Sequence, residues 1–544
     1  MIKKHLTALL LLLSAVAQAN PLHTLKNLCP PDDTLRIVGS LSVGGIIVSD
    51  CASKNMELNP NVSYAEVDLS VNDATAYLEA SDASCGVRIR FSRAAENTLR
   101  RYDAVLLDLA GCLLVRESHP DRLTIKDFGA KNIVSVQPGT AADLPRKERT
   151  VASLTDEDLY TFVTIPEAEM VFKSGTFTDI YEPYGQYTPK IHDDPLSHKK
   201  YYDVSGRMDG WASLLRDREG NTIYMLVNLL CTWRRDGNMV PRGLGPISGI
   251  VVHTPMRRYG GNMGRYSLRP VDRKDIVLSK KRNSPWKILT GWELDGTQGQ
   301  QLEFEYLGVQ GGVWKNGKKG DRVLADVGRT GGFLWTDSDS FIHIDNDLNA
   351  LDAAKRGYQP NGALFLKGPT VGWFEFDTQG KPCEAKSVFV EFSTQKIKAT
   401  DLSFSFSWSE GDADGDCCWG FPAEWRVQCS IDGSPWVNLQ ETATGEEIFL
   451  LRSHPWWDKV LNQVSGRRQT GFDCGLGMQQ RSFRLPSEAI GRARVVLRLT
   501  PATGRISLIR SRPSDDVLST NTISPDKDFM VTWLRFGQVM VEYR

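Results

Sequence analysis

Excess charge of either sign is missing from this 544-residue chain, in which 65 Lys and Arg stand against 66 Asp and Glu. A strongly basic or acidic balance would indicate a polyanion or a membrane surface as partner, so any electrostatic argument must be local. Beyond the N-terminus no run approaches the roughly 18 to 20 apolar residues of a membrane span. HExxH, a GxSxG nucleophile elbow and a Gly-rich loop opening a helix are all lacking, so three familiar signatures of enzyme chemistry go unfilled. The ten cysteines are thinly spread and show no CxxC or Cys/His spacing suited to zinc.

At the N-terminus, MIKKHLTALLLLLSAVAQAN sets Lys3 and Lys4 before an apolar run from Leu6 to Leu13 and then Ala17-Gln18-Ala19. This is the pattern of a signal peptide over residues 1–19, and it predicts export to the periplasm, the cell surface or the medium. The first cysteine is Cys29, so a lipid on a new N-terminal cysteine is not supported. An oxidising compartment permits disulfides. Cys51, Cys85 and Cys112 form one cluster, and Cys417, Cys418, Cys429 and Cys474 another. Bridges within each cluster and buried free thiols are both open readings.

The length suggests three or so domains. From Arg36, runs such as RIVGSLSVGGIIVSD and YDAVLLDLAGCLLVRE are β-branched and separated by turn residues, which predicts a small barrel over residues 20–150. SLTDEDLYTFV breaks the pattern, with Thr155 placed to cap a short acidic helix within a connector over 151–198. β text returns over 199–284 as a second barrel. Beyond it, strands alternating in period two, with Asp432-Gly433 as a hairpin turn, predict a jelly-roll β-sandwich over 285–544. The fold class expected is all-β. Twelve of the fourteen tryptophans fall in this last part, which places most of the aromatic binding potential there.

RRYGGNMGRYSLRPVDRKDI carries Arg257, Arg258, Arg265, Arg269, Arg273 and Lys274, with Tyr259 and Tyr266 between them, as a polynucleotide-binding strand would. Yet RLTIKDFGAKNIV from Arg122 aligns without gaps on RYSLRPVDRKDIV from Arg265. A repeat at the end of two β units reads as a closing strand, with Leu268, Val271 and Ile276 inward and the arginines in solvent. Nucleic acid is therefore not the expected partner.

The ordered phrases GIIVSD, LTDEDLYTFV, GPISGIVVHTPMRRYG and GRYSLRPVDRKDI, over roughly residues 30 to 285, resemble a family of exported Bacteroidota proteins with an uncharacterised OB-related domain. ISGIVVH and RYSLRPVDRKDI are also similar to OB-like domains that accompany extracellular nucleases. FSTQKIKATDLSFSFS and EWRVQCSIDGSPW resemble galactose-binding-like sandwiches. The resemblance implies OB-like barrels and export, and carries no catalytic residues over.

Candidate sites cluster in the sandwich. Asp412, Asp414 and Asp416 alternate around Gly415 in GDADGDCCWG, a loop that could supply oxygens to a structural calcium, although the glycine stands early for an EF-hand. Cys417-Cys418 precede Trp419, which disulfides to Cys429 or Cys474 would hold as an aromatic platform. Trp456 and Trp457 stand beside Asp458; on a strand one ring enters the core and the other is left to stack on a sugar, with the carboxylate on its hydroxyls. His343, Asp345 and Asp347 in FIHIDND share a face if the run is a strand, and His192-Asp193-Asp194 is a weaker metal candidate. The function these features favour is an exported, non-enzymatic binding or adhesion protein with a glycan site on its sandwich. A secreted phosphodiesterase, nuclease or glycosidase, and a structural cell-surface protein that binds another protein, are the alternatives.

Overall fold

Alternating apolar residues build the first unit, an eight-stranded sheet that contains β1 (Ser42–Ile47), β2 (Thr75–Glu79), β3 (Gly86–Phe91), β4 (Ala104–Asp108), β5 (Leu113–Ser118) and β6 (Asp121–Phe128). The computed structural model describes residues 22–57, 59–63, 66–172, 212–227, 231, 233, 243–254, 262–279, 282–293, 322–346, 362–412, 422–451, 479–505, 524–525 and 531–544. β1 pairs with β2, β2 with β3, β3 in parallel with β6, and β6 with β5. β4 returns to β1. A turn in which the Cys112 amide donates to the Leu109 carbonyl at 2.9 Å joins β4 to β5, which lie towards opposite ends of the strand order. Val43, Ile47, Leu78, Ile89, Leu107 and Ile125 fill the interior.

The second barrel is closed, with β7 (Phe162–Met170), β8 (Ser213–Asp217), β9 (Thr222–Met225), β10 (Gly245–Val252) and β11 (Ser267–Arg269) in the order β7-β8-β9-β11-β10. Its parallel pair β9·β11 matches β3·β6, and the repeat falls in register across the two units. Thr124 and Ile125 sit opposite Arg88 and Ile89, as Ser267 and Leu268 sit opposite Tyr224 and Met225. Each repeat continues into one 3-10 turn, Ala130–Asn132 or Arg273–Asp275. Strand β7 lies in the stretch that the sequence reading gives to the connector. Pro166 and a register shift between Ile165 and Ala168 interrupt the alternation that would have marked it. The expected acidic helix is a single 3-10 turn, Asp156–Asp158, in which Asp158 accepts from the Thr155 amide at 2.8 Å.

The C-terminal part is a sandwich of two seven-stranded sheets. In one, the long strand Val531–Tyr543 pairs with Lys287–Trp292, Gly362–Pro369 and Leu402–Asp412. The other contains β12 (Gly332–Thr336), β13 (Val388–Phe392), β14 (Glu424–Ile431), β15 (Val437–Asn438) and β16 (Val495–Pro501), and runs β12-β13-β16-β14-β15. Asp432 and Gly433 both take positive φ, and the Ser434 amide closes on the Ile431 carbonyl at 2.9 Å, the tight turn expected of that pair. Trp292, Trp373, Trp408 and Trp425 are fully buried between the sheets, so four of the tryptophans counted as binding potential are core instead. Trp408 and Trp425 meet edge to face at 5.3 Å.

The three units are locked by polar contacts. Asn55 of the first unit donates to the Pro270 carbonyl of the second at 2.6 Å, and Arg269 donates to the Met56 carbonyl at 2.6 Å. Arg269 is 4% exposed, whereas the sequence reading sends it to solvent; Leu268, Val271 and Ile276 are buried as expected. Between the second barrel and the sandwich, Tyr224 donates to Glu441 at 2.5 Å, and Arg481 meets the same carboxylate at 3.1 Å.

Candidate functional site

Trp419, Trp456, Trp457, Asp458, Asp414 and Asp416 lie outside the described residues, as do Asp347 and His192 to Asp194. Asp412 closes a strand opposite Thr532, and His343 and Asp345 lie on one strand opposite Phe365 and Ala363. Among the described residues no three His, Cys, Asp or Glu side chains gather as a metal site. Cys51, Cys85 and Cys112 are unpaired thiols, so the first cluster makes no bridge; Cys429 is unpaired too, which removes one of the two anchors imagined for Trp419.

The geometry directs attention to the outer face of the second sandwich sheet. Leu334, Val390, Leu497 and Val427 point into the core. Strand alternation therefore sends Trp335, Phe389, Arg498 and Gln428 outward. Register sets them in one row: Trp335 opposite Phe389, Phe389 opposite Arg498, Arg498 opposite Gln428, and Gln428 opposite Asn438. The Trp335 and Phe389 rings stack at 5.1 Å, and Trp436, from the loop before β15, approaches Phe389 at 6.3 Å. Guanidinium groups lie on this ladder, Arg498 over Trp436 at 4.3 Å and Arg322 over Trp335 at 5.1 Å and Phe333 at 5.2 Å. Trp335, Phe389, Trp436, Arg322 and Arg498 are all half-buried, which leaves part of each open to solvent.

A hydrogen-bond relay fixes the polar end of the row. Arg498 Nε donates to Gln428 at 2.7 Å, Gln428 to Asn438 at 2.8 Å, and Asn438 to Glu447 at 2.9 Å. Among the described residues only Nε of Arg498 donates a hydrogen bond, which leaves its terminal N–H groups for a ligand. A row of rings and oriented donors, each held by its neighbours, needs little ordering on binding. Burial, followed by the like charge of Arg426, pulls the Arg498 guanidinium below the usual arginine value.

A concavity of about 640 Å³ lies in the seam between the first two units and is lined by Cys51, Asn97, Arg101, Tyr102, Asp272 and Lys274 among others. Tyr102 holds φ at +78°, a region costly for a bulky residue. The charges here are largely committed, however. Arg101 is paired with Asp275 at 3.0 Å and sandwiched by the Tyr102 and Phe162 rings, while Lys274 meets Asp272 at 3.2 Å. The remaining basic residues of the repeat are similarly engaged: Arg265 binds Asp156 at 2.6 Å. Arg257 and Arg258 lie outside the described residues.

The sequence reading missed the row because it sought tryptophans in unusual phrases. The signal was quieter: Phe333, Trp335 and Phe389 occupy the phase of alternating strands where polar side chains belong. No family model matches the chain, and no curated protein matches it. Among solved structures, the cleaved adhesin domain of Lys-gingipain from Porphyromonas gingivalis aligns with 39% of this chain and 98% of that chain, at 12% identity and a TM-score of 0.18. A likeness at that level carries no argument. Among the described residues no helix is long and apolar enough to cross a membrane.

Proposed function

We propose that the chain is an exported binding or adhesion protein, related to the OB-containing Bacteroidota family it resembles, and that its sandwich binds a glycan along the outer row. The observation that carries the reading is the alignment of Trp335, Phe389, Arg498 and Gln428 across four strands, with Trp436 and Arg322 stacked on it. Adjacent strands stand about 4.8 Å apart, a step comparable with the width of a pyranose ring. Aromatic surface takes sugar C–H groups, and guanidinium and amide groups take hydroxyls. The first two units serve as a rigid mount, since their seam and their contact with the sandwich are tied by buried polar pairs.

A glycan array on the mature chain, run with and without EDTA, tests this reading. Retention of a glycan by the parent and its loss in Trp335→Ala and Trp436→Ala support it. Undiminished retention in both variants would move the site elsewhere, and EDTA sensitivity would direct the search to Asp412, Asp414 and Asp416.

A further inference from the structure

We infer that the glycan taken by the outer row is anionic, carrying carboxylate or sulfate groups that the arginines of this face neutralise. The inference rests on the glycan reading and adds the ligand's charge to it. Its basis is an inventory of the ionic groups on and around the row. Glu391 is held by Arg494 at 2.9 Å and Glu424 by Arg505 at 3.2 Å, so two carboxylates of this face already have cations, while Glu447, at the far end of the relay, accepts from Asn438 at 2.9 Å two residues removed from Arg498. Arg322, Arg426 and Arg498 have none among the described residues. Arg322 makes ring contacts alone. Arg426 donates to the Ala502 carbonyl at 2.9 Å, and Arg498 to the neutral Gln428 at 2.7 Å.

Acids do face Arg498 from neighbouring segments, namely Asp337 and Glu384, and both favour its charged form. They do not dominate. The like charge of Arg426 acts on Arg498 more strongly than either, and the net effect, with burial, disfavours the cation. Asp337 is also engaged in accepting the Ser387 amide at 2.6 Å. A guanidinium laid on an indole at 4.3 Å, partly desolvated and short of a counter-charge, gains more from a fixed anion than from a hydroxyl. A carboxylate or sulfate has the geometry to receive its two terminal N–H groups together. Ring contact from Trp335 and Trp436 with charge contact from Arg498 and Arg322 thus selects a sugar chain bearing acidic groups over its neutral counterpart.

The test uses matched probes that share a backbone and differ in charge: polygalacturonate against its full methyl ester, and dextran sulfate against dextran, with poly(U) as a polyanion without the glycan scaffold. Affinity electrophoresis or calorimetry on the intact mature chain should show roughly tenfold or greater preference for the charged member of at least one pair, weakening between about 50 and 300 mM salt. Arg322→Gln/Arg498→Gln should erase that preference with the thermal midpoint unchanged, and Trp335→Ala/Trp436→Ala should lower binding of charged and neutral probes alike. Equal binding of both members of each pair overturns the charge assignment and leaves the glycan reading intact. Absence of binding to all four glycans overturns both. Poly(U) bound as tightly as the best glycan, or a charge preference that survives the double arginine variant, removes the row as an anionic-glycan site.

Discussion

Arg216, on the second barrel, holds Glu542, in the last strand of the sandwich, through hydrogen bonds of 2.6 and 3.1 Å, although the two side chains are only 0% and 2% exposed. Glu169 takes the other side of the same guanidinium at 2.8 Å, and the Trp286 ring covers it at 4.5 Å. Such a triad stabilises little against an apolar replacement, but removing one member strands charge in a dry site. Arg216→Met is expected to cost roughly 3 to 5 kcal/mol in urea unfolding, because two carboxylates lose their cation. A cost below about 1 kcal/mol would show that the barrel and the sandwich do not depend on this contact.

Glu79 gives the seam between the first two units a dependence on pH. It is fully buried, and Oε2 accepts the Phe162 amide of the second barrel at 2.6 Å while Oε1 has no partner among the described residues. Burial pushes its carboxyl up to about 7 from the usual 4.5, against the opposing pull of the Phe162 amide and Lys147. The native state therefore keeps the proton after the unfolded chain has lost it. The stability from this group is full below pH 4.5, declines as pH rises, and is lost above about 7. Glu79→Gln keeps the acceptor and removes the titration, so it should match the parent near pH 4 and exceed it by roughly 3 kcal/mol at pH 8. Parallel pH profiles for the two proteins would refute this.

Outer and inner tryptophans should separate cleanly. Trp425 is fully buried and its indole N–H donates to the Pro422 carbonyl at 2.7 Å. Trp425→Ala should cost roughly 3 to 5 kcal/mol, the range for emptying a large aromatic from a core. Trp335→Ala should cost about 1 kcal/mol, the scale of one stacked pair on a half-exposed face. Comparable losses in thermal melts would make the row a structural element of the sheet.

The repeated turns should behave as equivalents with one difference. Asp275 accepts the Val271 and Asp272 amides at 3.0 and 2.7 Å and also binds Arg101, whereas Asn132 accepts the Gly129 amide at 3.1 Å and donates to two carbonyls of the first unit. Each change to Ala should lose about 1 to 2 kcal/mol from the cap. Asp275→Ala also unpairs Arg101 in the seam, a loss that Asp275→Asn, which keeps the acceptor for the two amides, isolates from the cap. Equal denaturation midpoints for Asp275→Asn and the parent would show that the Arg101 pair contributes nothing.

The sequence alone determined the β class, the repeated strand with its turn and the two-faced strands of the sandwich, because each is written in local periodicity. Leu268, Val271 and Ile276 are buried and Asp432-Gly433 turns, as side-chain phase and backbone preference require. Strand β7 escaped because Pro166 breaks that periodicity. Tertiary structure alone decided what the polar and aromatic residues do. Arg269 is buried against Met56, more than two hundred positions away in the chain, and Trp335, Phe389, Trp436 and Arg498 meet only because the register of four strands aligns them. Phase along a strand says which face a side chain takes. Its neighbours on that face are set by strand order, and strand order is fixed by which sheets can bury their apolar sides together.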